Sequence, residues 1–320
     1  MKKNKIKDTG LEVTELSFGT SSLGSMPDTY GYEVSEDRAQ KTLNRFFQGP
    51  VNMLDTSRNY AMGESEKRIG KAIKENGGWP NGFLLSTKLD RNMDTLVLDK
   101  NRVRESLEES LKTLNVDSVD ILFLHDPEYA KDITDITKKD GAMDELFKIK
   151  NEGLAKAAGV AMGKVDIMFP LLKDWDFDVI INHNRYTLIN REANEMYDYA
   201  SSKNIAIFNA APYAGGVLAK GPDNFKKITY QDATEEKLAP ARKFEKVCKK
   251  HNVELGAAAL QFSLRDNRIT STICGVTSVE SIEKNLAWAN AEISGEFWDE
   301  VLKLPFSSND PESDRVFTAG

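Results

Sequence analysis

Short apolar runs alternate with longer amphipathic stretches along most of the chain, and the two kinds of segment differ in period. Runs rich in β-branched residues occupy 16–20, 51–55, 83–88, 119–125, 155–161, 179–183, 205–210 and 272–276, with the length and content of buried strands. Between them, apolar positions recur at helical spacing over 36–47, 64–74, 100–114, 141–151, 165–172, 193–203, 241–251 and 278–290. Eight strand-like runs alternating with eight helix-like segments, with no Ser/Gly-rich linker between them, predict a closed (β/α)8 TIM barrel rather than a doubly wound sheet. The α/β barrel then takes the whole of 1–320 as one domain. Three segments stand outside the alternation. "KDTGLEV" predicts an N-terminal β-hairpin, "LGAAALQFSLRD" an additional helix before the last strand, and the polar stretch 220–240 a long loop able to cover a site.

Composition narrows the class of partner. A chain of 320 residues, 40% hydrophobic and 29% charged, can bury a large core. A formal charge of −7 gives no footprint for nucleic acid, which needs clustered Lys and Arg, so a small-molecule carbonyl or sugar is the expected partner. No apolar run approaches the roughly 20 residues that span a bilayer, and "MKKNKIKDTG" lacks the apolar segment of a signal peptide. A cytoplasmic protein, monomeric or weakly homo-oligomeric and without membrane contact, is expected. Cys248 and Cys274 read as reduced residues rather than a disulfide, Cys274 as a small member of the core.

In such a barrel the chemistry sits where strands pass into the loops that follow them. The polar residues closing the apolar runs are therefore the candidates: Asp55, Lys88, His125 and His183, with Tyr60 on the loop beyond Asp55. A phenol ordinarily titrates near 10, and an adjacent ammonium stabilises its anion, so Lys88 is expected to lower the pKa of Tyr60. Asp55 would keep the buried lysine charged, and His125 would orient a substrate oxygen while Tyr60 carries the proton. Each residue alone reads as an ordinary strand terminus; together they form a site. His183 stays open between lining the pocket and serving as a hydrogen-bonded core residue. His251 reads as a helix-end residue. Three histidines without paired ligand spacing give no expected metal site.

"NMLDTSRNYAMGESEKRIGKAI" resembles the signature of the aldo-keto reductases, with Ile69 standing for a leucine, while "LLSTK" and "VDILFLHDP" are similar to the strands carrying that family's lysine and histidine. The resemblance runs from 16 to 290 and places the family's tetrad on Asp55, Tyr60, Lys88 and His125. It implies a barrel that binds NADP or NAD without a Gly-rich Rossmann loop and exchanges hydride with a carbonyl or alcohol. "FGTSSLG", "LHDPE", "GVAMG", "RYTLINR" and "APYAGGVLAKG" look like the D-threo-aldose 1-dehydrogenase branch, which includes L-fucose and L-galactose dehydrogenases. That branch implies oxidation of an aldose at C1 to a lactone, with Tyr60 accepting the hydroxyl proton. The alternatives are a reductase of small aldehydes or ketones on the same tetrad, and a non-catalytic cofactor sensor similar to potassium-channel β subunits.

The resemblance also implies a cofactor set. Gly19, Thr20 and Ser21, with Asp55, fall at the nicotinamide end; Gly275 and Ser278 fall near the pyrophosphate and ribose, and Asn285 near the adenine. Ala161 and Met162 replace the Ser-Asn pair that holds the carboxamide in many members, and His183 replaces a glutamine, so His183 or Asn184 is expected to take over. Ala210 falls where an aromatic often stacks. Gly215 and Gly216 read either as a tight turn or, the preferred reading, as a close approach to pyrophosphate. Gly275 and Ser281 occupy positions where Lys and Arg often meet a 2'-phosphate, which favours NAD unless Lys284 compensates.

Overall fold

The computed structural model describes residues 1–313. Eight parallel strands close a barrel: β1 (Leu16–Gly19), β2 (Met53–Asp55), β3 (Leu84–Leu89), β4 (Val119–His125), β5 (Ala155–Met162), β6 (Val179–His183), β7 (Ala206–Ala210) and β8 (Ser271–Gly275). Each pairs with its successor, and β8 closes on β1 with Thr272 opposite Leu16 and Gly275 opposite Gly19. Around it lie α1 (Glu36–Phe47), α2 (Glu64–Glu75), α3 (Lys100–Leu114), α4 (Ala142–Asn151), α5 (Val165–Asp174), α6 (Asn194–Ser202), α7 (Glu235–Lys250), α8 (Leu255–Leu264), α9 (Val279–Ala289) and α10 (Gly295–Val301).

The two-residue period of a strand decides what faces the barrel axis. Met53, Leu84, Ile121, Phe123, Val179, Ile181, Phe208 and Ile273 form one buried interior cluster, whereas their neighbours Leu54, Leu85, Leu122, Leu124, Ile180, Ile207 and Cys274 belong to the larger layer between strands and helices. Continuing the inward rows towards the carboxyl end, by one step on most strands and by two from Leu84 through Ser86, brings Asp55, Lys88, His125, His183, Ala210 and Gly275 to the same rim. The opposite end is plugged by the predicted hairpin, Lys3–Ile6 paired with Leu11–Thr14, whose Ile6, Leu11 and Val13 join the interior cluster. Gly159 on β5 is required by this packing. A Cβ there would lie 2.9 Å from the Phe123 ring and far inside contact distance of the Val179 carbonyl.

Helix starts follow their caps. Ser35, Asp99, Thr234 and Ser294 each accept a hydrogen bond from a backbone N–H in the first turn of α1, α3, α7 and α10. The cap at Thr234 changes one expectation. The sequence reading began this helix at 241, beyond Pro240, but the chain becomes helical at Glu235 and carries Pro240 within it. The expected long loop is correspondingly shorter; the helical turn Val217–Lys220 leads into it, and it contains a small hairpin, Lys227–Ile228 with Gln231–Asp232. Helix α10 was not anticipated, although Phe297, Trp298 and Val301 bury one of its faces. The additional helix before the last strand is present as α8.

The segment after α10 was also not anticipated. It runs back over the β6–α6 connection, where Arg191 N–H donates to the Ser307 carbonyl at 2.8 Å and Asn190 Nδ2 to the Asn309 carbonyl at 2.9 Å. Farther along it meets Arg185, a guanidinium with no solvent exposure that pairs with Asp310 at 2.6 Å and with Glu312. Arg185 and Glu312 are buried together, with Asp310 partly exposed beside them, so Arg185 and Glu312 are each necessary to the other.

Glu66, in the first turn of α2, is wholly buried behind β3. Its Oε1 accepts from Thr87 Oγ1 at 2.6 Å and its Oε2 has no partner, so burial pushes its carboxyl up to about 7. The folded state then holds a proton that the unfolded chain releases near 4.5. Stability from this group is therefore greatest below 4.5 and falls as pH rises towards 7, by about 3 kcal/mol in all. Urea unfolding at pH 5 and pH 8 should show this loss, and Glu66→Gln should remove most of it; an unchanged pH dependence in the variant would rule Glu66 out as its source.

Candidate active site

Lys88 anchors the rim. At 1% exposure it is almost wholly buried, and its Nζ donates to Asp55 Oδ2 at 2.7 Å, to the Thr56 carbonyl at 2.6 Å and to the Tyr60 hydroxyl at 3.0 Å. Ser86, two residues before it on the inward row, donates to the other Asp55 oxygen at 2.9 Å. The carboxylate is thereby satisfied by a cation and a hydroxyl, as burial demands. Tyr60 leaves β2 on a loop whose next three residues, Ala61, Met62 and Gly63, all have positive φ. The two non-glycine residues cost about 1–2 kcal/mol each in that conformation. The turn they make leads directly into α2.

His125 closes the other side. Its ring meets the Tyr60 ring edge-on, with centroids 5.7 Å apart. Nδ1 donates to Asp90 Oδ1 at 2.6 Å, and Asp90 Oδ2 accepts from Ser57 Oγ and from the Asn59 N–H at 3.0 Å. Fixing Nδ1 in this way orients the ring and commits its remaining nitrogen to the pocket side. Burial opposes protonation of His125, but the Asp90 and Asp126 carboxylates outweigh it and hold its pKa above the ordinary value. Asp90 is lowered by the same pair despite its burial. The sequence reading passed over Asp90. The signal was there: it lies two residues beyond Lys88, on the same inward row.

The electrostatics of Tyr60 differ from expectation. Lys88 reaches the hydroxyl as foreseen, but burial first, and then the Asp55 carboxylate, hold the phenol well above its usual value, with Tyr30, Asp126 and Asp90 adding to the effect. The residue is a phenol at neutral pH rather than a tyrosinate. Chemically, the arrangement offers a proton donor, a cation that stabilises the donor's conjugate base, and an oriented imidazole beside both.

The loop after β4 was read only as far as His125. Asp126 sits there at φ 43, with Oδ2 3.8 Å from His125 Nε2 and Oδ1 buried without a partner. Glu128 follows, its Oε1 receiving the Gly163 N–H at 3.0 Å and its Oε2 buried and unpartnered; burial first and Asp126 second push its carboxyl up to about 8.

The other sequence candidates divide. His183 ends β6 at the rim with 28% of its side chain exposed, next to Asn184 Nδ2 at 3.2 Å and Glu312 at 3.8 Å; burial lowers its pKa. It thus stands at the partly exposed rim rather than in a closed core. Asn184, at φ 63, keeps its Oδ1 buried with no partner. Gly19 and Gly275 face each other on paired strands, with open space over Gly275. Thr20 is turned to internal use, donating to the Asp55 carbonyl at 2.9 Å, and Ser21 shares a hydrogen bond with Tyr30. Ser278 and Ser281 cap α9 reciprocally, the Ser281 hydroxyl also receiving the Thr277 N–H. Asn285 donates to the Ser281 carbonyl at 2.7 Å and accepts from Tyr213, so both ends of its amide are engaged. The preferred reading of Gly215 and Gly216 gives way to another. At φ 77 and 124 they meet the chain's own hairpin, since a Cβ on Gly215 would lie 2.9 Å from Thr229 N and one on Gly216 3.1 Å from Phe225. His251 caps α7 and pairs with Glu300 at 2.7 Å, and Cys248 and Cys274 are free and buried. Among the described residues there is no group of three or more His, Cys, Asp or Glu able to hold a metal, and no helix is long and apolar enough to cross a membrane.

Three comparisons bear on this arrangement. The chain is 31% identical over 284 residues to L-galactose dehydrogenase of Arabidopsis thaliana, covering 88% of this chain and 85% of that protein. It is 27% identical over 320 residues to D-threo-aldose 1-dehydrogenase of a Pseudomonas species, covering 92% and 94%. In fold it is similar to the holo form of an aldo-keto reductase from Bacillus halodurans, with a TM-score of 0.79, 21% identity and 99% and 100% coverage. The model of the aldo/keto reductase family matches residues 15–304, the span that holds the closed barrel and Asp55, Tyr60, Lys88 and His125; the chain belongs to that family.

Proposed function

We propose that this family oxidoreductase oxidises the C1 hydroxyl of an aldose to the lactone, using Tyr60 as general acid/base and NAD or NADP as hydride acceptor. The observation that carries this reading is the single ammonium of Lys88 bound at once to Asp55, the Thr56 carbonyl and the Tyr60 hydroxyl, with His125 edge-on to the phenol. When bound, the nicotinamide takes up the hydride from C1 or, in the reverse direction, returns it. The residues of the chain hold that group and handle the proton. Asn184 Oδ1, buried and unpartnered, fits an amide donor, and the open surface over Gly275 fits the remainder of an extended nucleotide. Tyr60 first gives up its own proton to solvent, the Lys88 ammonium stabilises the resulting phenolate, and the phenolate then takes the proton of the C1 hydroxyl that His125 orients. Similarity to L-galactose and D-threo-aldose dehydrogenases supports the choice of an aldose.

A second reading, reduction of small aldehydes or ketones, is favoured by one observation: a phenol held above its usual pKa is protonated at neutral pH and ready to donate. A panel of L-fucose, L-galactose and D-arabinose, followed by lactone formation with NAD and with NADP, separates the two. Turnover of propanal without lactone from any sugar would reject the first reading.

The cofactor choice carries its own prediction. The first turn of α9 bears Glu280, the Ser278–Ser281 cap engages the N–H groups of Thr277, Ser278 and Ser281, and the Lys284 ammonium lies 4.6 Å from the Trp288 ring. A 2'-phosphate near these groups would meet the like charge of Glu280, while the cations at hand have other partners, Lys284 the Trp288 ring and Arg38 the Thr277 hydroxyl at 3.5 Å. NADH is therefore expected to bind about tenfold or more tightly than NADPH, measured by quenching of tryptophan fluorescence. Equal affinities would refute this account of the adenosine end.

A further inference from the structure

Two consecutive non-glycine residues in the left-handed region follow Tyr60, and nothing in the mechanism above uses them. Ala61 lies at φ 51, ψ 46 and Met62 at φ 54, ψ 33, ahead of Gly63 at φ 92. Such conformations are unfavourable for residues with a Cβ and persist only where the surrounding structure enforces them. The Met62 side chain does not enforce it, since 65% of the residue is exposed. Ala61 does meet a partner. Gly24, buried in the loop after β1, stands so close that a Cβ on it would lie 2.5 Å from the Ala61 Cβ and 2.8 Å from the Ser65 nitrogen. The alanine methyl thus takes the room that a side chain at position 24 would need. The same two segments are tied beyond that contact: Ser65, wholly buried in the first turn of α2, donates to the Thr20 carbonyl at 2.9 Å, and Arg68 donates to the Leu23 carbonyl. On the other flank the Tyr60 N–H donates to the Ser57 carbonyl at 3.2 Å, and Lys88 holds the hydroxyl. Only the turn 61–63 joins Tyr60 to this fixed junction.

We propose that Ala61 is a positioning residue: its methyl, seated against Gly24, fixes the turn after Tyr60 and so holds the phenol where its hydroxyl meets both Lys88 and the reacting oxygen. This deepens the reading of Tyr60 as general acid/base and rests on it, though not on the choice of an aldose. Glycine at 61 would make the same turn without penalty, but it would leave the chain free to make others. Alanine there stabilises the fold less and confines the turn more. Proton transfer depends steeply on the placement of the donor, so confinement is what the chemistry rewards.

The test is Ala61→Gly, followed by single-turnover oxidation of bound NADH with glyceraldehyde in a stopped-flow instrument. The rate should fall about tenfold, the scale of a small loss of alignment, with NADH affinity unchanged. The urea midpoint should be equal or higher, because glycine relieves the left-handed strain. Lost rate with undiminished stability is a combination that a merely structural residue does not give. Two further variants locate the effect. Met62→Gly relieves similar strain but leaves the Ala61 methyl in place, so its rate should stay close to that of the wild type. In a Tyr60→Phe background, Ala61→Gly should barely change the residual rate, because the hydroxyl it positions is gone. An unchanged rate in Ala61→Gly, a lowered urea midpoint accompanying the lost rate, an equal fall in Met62→Gly, or the same fall in the Tyr60→Phe background overturns the proposal. Wild-type turnover in Tyr60→Phe alone would overturn the reading of Tyr60 itself.

Discussion

Tyr60→Phe should lower kcat about a hundredfold to ten-thousandfold while leaving the fold and cofactor affinity nearly unchanged. The substitution removes one hydroxyl. Lys88 keeps its bonds to Asp55 and the Thr56 carbonyl, so no buried charge is stranded, and the ring still meets His125 edge-on. What disappears is the phenolic hydroxyl that the Lys88 ammonium holds. The pH dependence sharpens the test. Burial and Asp55 hold the phenol above its usual value, so oxidation, which needs the deprotonated form, should accelerate as pH rises through the alkaline range. Reduction, which needs the phenol, should be flat near neutrality. The variant should lose the alkaline rise altogether. Steady-state kinetics in both directions checks this, and wild-type turnover in Tyr60→Phe would remove the residue from the mechanism.

Lys88→Met has the larger structural consequence. Methionine fills a similar volume without the charge, leaving the buried Asp55 carboxylate with the Ser86 hydroxyl as its remaining side-chain partner. Removing one member of a buried ion pair costs about 3–5 kcal/mol, which should appear as an earlier urea midpoint. Activity should fall by about two to three orders of magnitude in protein that remains folded, because the phenolate loses the cation that stabilises it. Pairing the change with Asp55→Leu separates the two effects. The double variant should recover most of the stability and none of the activity. Recovery of activity with stability would mean that Lys88 serves the fold alone.

Much of this was legible in the chain itself. The alternation of two periods determined the barrel, because a strand buried on both faces and a helix buried on one leave different spacings of apolar residues, and eight of each in alternation fit few other architectures. Parity along the strands did the rest for the tetrad: once Ile121 and Phe123 face inward, His125 must, and the same reasoning carries Asp55 and Lys88 to the rim. These are local rules, which a sequence expresses residue by residue.

The remaining features depended on contacts between segments distant in the chain, and no local rule encodes those. Gly215 and Gly216 looked like room for a ligand, yet the chain's own Phe225 and the turn at Thr229 and Tyr230 lie against them. Ser281 and Asn285 carry hydroxyl and amide groups suited to a nucleotide, but their hydrogen bonds are already made within α9 and to Tyr213. The sign of the shift at Tyr60 was likewise settled by burial and by summed distances to several carboxylates, which outweigh one nearby ammonium. The period of the side chains thus determined which residues reach the rim. Only the packing of loops and the terminal segment decided which of their polar atoms stay free to act, since a hydrogen bond spent within the protein cannot be offered to a substrate.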